Sequence, residues 1–139
     1  MSEENKALAR RFLEKVFNEG NLDAIDELID PNQTQHDPAM TEELRGIEGA
    51  RQLVEVYRGA FPDVHITVED QVAEGDKVVT RWTALRTRQG ELMGVEPSGR
   101  QVTVRGISID RFSGGKFVEA RDNYDALGMM QQTGTIPSM

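Results

Sequence analysis

The sequence has no cysteine and only two histidines, His36 and His65. The first absence excludes disulfides, thiol nucleophiles and thiolate metal sites, and it fits a reducing compartment. The second leaves no pair of imidazoles at ligand spacing, so no dedicated metal site is expected. No apolar run is long enough to span a bilayer, and the opening MSEENKALARR lacks the apolar core of a signal peptide. The expectation is a cytoplasmic chain without a membrane partner. Positive charge is scarce as well. Sixteen Lys and Arg stand against 24 Asp and Glu, and the formal net charge of −8 argues against nucleic acid as a partner.

What is present reads as one globular domain over residues 1–139, with 37% apolar and 29% charged residues. Residues 3 to 18 predict an amphipathic helix, because Leu8, Phe12 and Val16 recur every four positions with Leu13 and Phe17 beside them. Asn21 is placed to cap a second helix with Leu22, Ile25, Leu28 and Ile29 as its buried stripe, and Pro31 ends it. From Asn32 to Gly46 the pattern dissolves into a polar segment in which Pro38 restricts His36 and Asp37 to extended or turn geometry. A third helix from about Ile47 to Phe61 aligns Leu53, Val54, Tyr57 and Phe61.

The period then changes from four to two. Val64, Ile66 and Val68 mark one strand, Lys77 to Thr87 a second with the only tryptophan, Trp82, and Gln101 to Phe112 a third. A tight turn at Ser113-Gly114-Gly115-Lys116 leads into a fourth strand, Lys116 to Tyr124, and a short helix from Ala126 to Gln132. Helices followed by an antiparallel meander predict an α+β fold with helices on one face of a curved sheet. In the fourth strand Asp122 shares its face with Val118, Ala120 and Tyr124. A carboxylate on an apolar face is either tied down or functional. Asp125 is its rival, at a position that favours a helix cap.

The block GELMGVEPSGR (Gly90 to Arg100), followed by GGKFVEARDNYDALGMMQQTG, resembles the SnoaL-like polyketide cyclases. The likeness extends over nearly the whole chain, including the corner Phe61 to Asp63 and the pair Arg81-Trp82. It implies a nuclear transport factor 2-like cone, a strongly bent sheet around a deep apolar pocket, and a homodimer formed through the outer sheet face. It also implies a cofactor-free aldol cyclisation or related proton transfer on a small hydrophobic carbonyl-containing molecule. The family's general acid/base corresponds to Asp122, following Arg121. A polar residue near a proline after the second helix corresponds to His36, and a pocket aromatic to Phe17. Tyr57, Trp82, Arg88, Ser108 and Tyr124 complete the expected lining. Arg88 and Ser108 stand where ring-closing relatives carry histidine, so the family's substrate does not transfer automatically.

These residue types suit the chemistry. Taking a proton from carbon beside a carbonyl needs a base of near-neutral strength and a donor for the enolate oxygen. Desolvation in an apolar pocket raises a carboxyl toward that strength. The arginines Arg81, Arg86, Arg88, Arg100 and Arg105 fit an outer sheet face, while Arg88, with the parity of Trp82 and Ala84, could instead fork inward onto an anionic group of a ligand. A non-catalytic binding or assembly module on the same cone, or a hydratase or isomerase, is the competing reading. An Asp122 locked by Arg121 would favour the module.

Overall fold

The computed structural model describes residues 2–38, 40, 42–87 and 101–133. Helix α1 (Ser2–Arg11) continues into a π-helical segment, Phe12–Asn18, and α2 (Asp23–Leu28) follows. Then come strands β1 (Ile29–His36) and β2 (Leu44–Arg45), helix α3 (Gly46–Ala60), the four long strands β3 (His65–Glu74), β4 (Lys77–Thr87), β5 (Gln101–Ser113) and β6 (Lys116–Tyr124), and helix α4 (Ala126–Thr133). One six-stranded sheet has the order β2-β1-β6-β5-β4-β3. The last four strands form the antiparallel meander that alternation predicts, and β1 adds to it in parallel along β6.

Three expectations need correction. The polar segment after Pro31 is not a loop: Ile29–His36 is a strand, and Pro31 lies inside it. Its inward residues are glutamines, so its alternation carries no hydrophobic signal. Asn21 does not cap α2 through its side chain, since the residue before that helix is Leu22 and makes no side-chain cap bond. Val118 does not share the face of Asp122. The β5–β6 register shifts between Arg111 and Phe112, so that Glu119 faces Arg111 while Phe117 faces Phe112. The resulting β-bulge flips the parity and turns Phe117 inward instead. The hairpin itself forms as its glycines require, with φ of 60° at Gly114 and 79° at Gly115.

The helices cover one face of the sheet and divide the core in two. One cluster holds Leu53, Tyr57, Phe61, Ile66, Trp82 and Met129, and the other holds Val16, Ile25, Ile29, Val54, Phe112 and Phe117. Val102 and Val104 are buried in the first, on the inner face of β5. Asn18 ties the π-helical segment to the outermost strand. Its amide donates to the Ile66 carbonyl at 2.9 Å and its oxygen accepts from the Ile66 N–H at 2.6 Å, as a neighbouring strand would. Among the described residues no helix is long and apolar enough to cross a membrane.

Candidate active site

Between the helices and the inner sheet face lies a cavity of about 740 Å³, its mouth included. Its walls are mainly apolar: Leu13 and Phe17 from the N-terminal helical stretch, Leu53 from α3, and Ile66, Ala84 and Phe117 from the sheet.

Asp122 sits on this wall because β6 runs with alternate residues inward, and its partner across β5 is Ser108. Ser108 Oγ donates to Asp122 Oδ1 at 2.7 Å, and Trp82 Nε1 donates to Ser108 Oγ at 3.0 Å. On the other side Gln35 Nε2 donates to Asp122 Oδ2 at 3.0 Å. The indole reaches Ser108 by lying across Gly106, where a Cβ would collide with the ring. Arg121, in contrast, points away and lies 3.7 Å from Glu119.

Above Asp122 is a second acid, Asp37. Tyr57 donates its hydroxyl to Asp37 Oδ1 at 2.9 Å and shares a further hydrogen bond with the hydroxyl of Tyr124. Burial pushes the Asp122 carboxyl up to about 7. The charge of Asp37 and a hydrogen bond between the two carboxyls add to the rise, while the donors Ser108 and Gln35 oppose it. A bond between two carboxyls requires that one hold a proton, so the pair can both give and take one. Burial, then the nearby charges of Asp37 and Tyr124, raise the Tyr57 phenol strongly, and it stays a donor.

The structure therefore gathers Phe17, Tyr57, Trp82, Ser108, Asp122 and Tyr124 around one cavity. It does not bring His36 there. Strand alternation turns Gln35 and Asp37 inward and His36 outward, where its Nε2 is 3.3 Å from Glu43. The residue next to Pro38 that faces the cavity is Asp37, one position later than expected. Arg88 lies outside the described residues. Asp125 accepts a hydrogen bond from the Gly128 N–H at 2.8 Å and so caps α4.

Sequence reasoning missed Gln33, Gln35, Asp37 and Asp110, which also line the cavity. Spacing at positions 33, 35 and 37 was the available signal, hidden because the alternating residues are polar. Among the described residues no group of three or more His, Asp or Glu is arranged to hold a metal.

The sequence profile of the SnoaL-like polyketide cyclases matches residues 7–133. The chain is 32% identical over 133 residues to the aklanonic acid methyl ester cyclase DnrD of Streptomyces peucetius, covering 91% of this chain and 88% of that one. It is 30% identical over 122 residues to the nogalonic acid methyl ester cyclase of Streptomyces nogalater, covering 86% and 90%. The solved structure of TsrD from Streptomyces laurentii superposes with a TM-score of 0.86 at 32% identity, covering 98% of each chain. With the α+β cone and its pocket, these likenesses place the chain in the SnoaL-like polyketide cyclase family, on the nuclear transport factor 2-like fold.

Proposed function

We propose that the chain closes a ring by intramolecular aldol addition on a hydrophobic ester bearing ketone groups, with Asp122 as the general acid/base. The observation that carries this reading is the enclosed Asp122 carboxyl, raised to about 7 and held by Ser108 and Gln35 on an apolar wall. Asp122 takes a proton from the carbon between two carbonyls. The resulting carbanion carbon bonds to a second carbonyl carbon of the same molecule, and that oxygen takes the proton back from Asp122. Nothing leaves, so the product is an isomer of the substrate. The second N–H of the Gln35 amide, whose first goes to Asp122, is the donor the cavity offers to the developing enolate oxygen. The separation of Asp122 from Arg121 speaks against a merely locked acid, and so against the non-catalytic module.

Asp122→Asn tests this with little change of shape. On aklanonic acid methyl ester, the substrate named for one relative, the variant is expected to lose roughly two to four orders of magnitude in rate, the usual worth of a general base. Its melting temperature should stay level or rise, because a costly buried carboxylate has gone. A clearly destabilised variant that still binds cavity ligands normally would sink the assignment.

A further inference from the structure

The cavity holds a second polar pair that this chemistry leaves unused. Along the inner face of β5 and β6, Gly106 lies opposite Tyr124, Ser108 opposite Asp122 and Asp110 opposite Ala120. Asp110 is therefore one inward position beyond Ser108, about 7 Å farther toward the hairpin. On the other side of β6, Gln33 is one inward position from Gln35 in the same direction along β1. On β6 Ala120 lies opposite Asp110 on one side and is the register partner of Gln35 on the other, so Gln33 is one inward position nearer the hairpin than that row. Gln33 is 0% exposed and Asp110 6%. Neither the nitrogen nor the oxygen of the Gln33 amide has a hydrogen-bond partner among the described residues. Buried amides are paired as a rule, so an unpaired amide on a residue that lines the cavity calls for a ligand group. The rest of the wall at this end is apolar, with Ala9, Phe12, Ile29 and Phe117.

We infer that Gln33 and Asp110 form a second binding station below Asp122, which receives a neutral oxygen function, a ring hydroxyl or ketone, at the leading end of the substrate. This rests on the reading of the cavity as a substrate site and narrows its substrate class. A hydroxyl accepts from the Gln33 N–H and donates to the Gln33 carbonyl. A ketone accepts from Gln33 and from the Asp110 carboxyl, whose hold on its proton is strengthened by burial, then by the charge of Asp122. A carboxylate is disfavoured here, because the described lining contains three aspartates and neither Lys nor Arg.

Two probes of equal shape, 2-naphthol and 2-methylnaphthalene, test the station by equilibrium dialysis. The wild-type chain is expected to bind the naphthol at least tenfold more tightly. Gln33→Leu and Asp110→Leu should erase that preference while keeping affinity for the methyl compound, and Asp122→Asn should retain it. Thermal melts of the two Leu variants are expected at or above wild type, with Gln33→Met and Asp110→Asn as gentler replacements. A wild type without preference for the naphthol, or Leu variants that keep it, overturns the station and leaves the cavity reading intact. Loss of preference in Asp122→Asn alone, or lower melts for all four lower-station variants, also overturns it. Binding of neither probe removes the cavity reading, and the station with it.

Discussion

At the scale of single residues, the site is a contest between burial and donation around Asp122. Burial and Asp37 raise its carboxyl from near 3.8 to about 7, against the pull of Ser108 and Gln35. Between those two values the folded chain holds a proton that the unfolded chain has lost, so Asp122 makes stability fall as pH rises across that window. Above about 7 its contribution levels off. Asp37 and Asp110 face the same space. The difference between wild type and Asp122→Asn isolates Asp122. The variant's advantage in melting temperature is expected to grow from pH 5 to pH 8, and a constant difference would mean that Asp122 is not the strained acid. Activity should follow the opposite course, with kcat/KM rising through about pH 7 as the base ionises. His36 and Asp37 offer a second comparison. His36→Ala should leave kcat within about threefold, whereas Asp37→Asn should shift the pH profile downward, because its charge no longer opposes ionisation of Asp122. The acid itself was legible in the sequence, since an Asp among apolar residues on one strand face stands out. Its partner was not, because Asp37 differs from His36 only by the parity of a strand that the sequence conceals.

At the scale of elements, legibility followed the chemistry of the inward face. Strands β4 and β6 could be delimited at Lys77–Thr87 and Lys116–Tyr124 because the turns Glu74-Gly75-Asp76 and Ser113-Gly114-Gly115 open runs that carry apolar residues. Strand β1 could not, since Gln33 and Gln35 occupy the inward positions that would otherwise be apolar. A strand that lines a polar site resembles a loop. The bulge at Val118 was hidden for another reason: register is set by the partner strand, and no local pattern in β6 records it. The contact between β4 and β5 also depends on one absent side chain. Gly106→Ala would place a methyl in the Trp82 ring, and overpacking of this kind costs about 1–3 kcal/mol. The expected result is a lower melting temperature together with altered Trp82 fluorescence, as the indole leaves Ser108. An Ala variant unchanged in both would show that the ring has room to move.

At the scale of the whole molecule, the outer sheet face is more apolar than solvent favours. Ile107 and Ile109 on β5 are 44% and 43% exposed, and Leu85 on β4 is 49% exposed. Exposed Arg81 and Arg121 lie opposite Ile107 and Ile109 on the flanking strands. We expect this face to form a homodimer. Sedimentation at micromolar concentration should give twice the chain mass, and Ile107→Lys with Ile109→Lys should return it to a monomer. A wild-type monomer would remove the expectation. The parallel pairing of β1 with β6 has a different consequence, in time rather than space. Gln35 and Asp122 meet across 87 positions of sequence, so the strand that brings one must wait for the strand that brings the other. Pairings of such long span are slow, because the entropy of closing the loop is lost before any contact repays it. During synthesis, the meander can zip up from neighbouring hairpins while β1 remains an unclaimed edge. The cavity wall around Asp122 is then expected to close last, and a nascent chain stopped short of β6 lacks both that acid and the partner strand of β1.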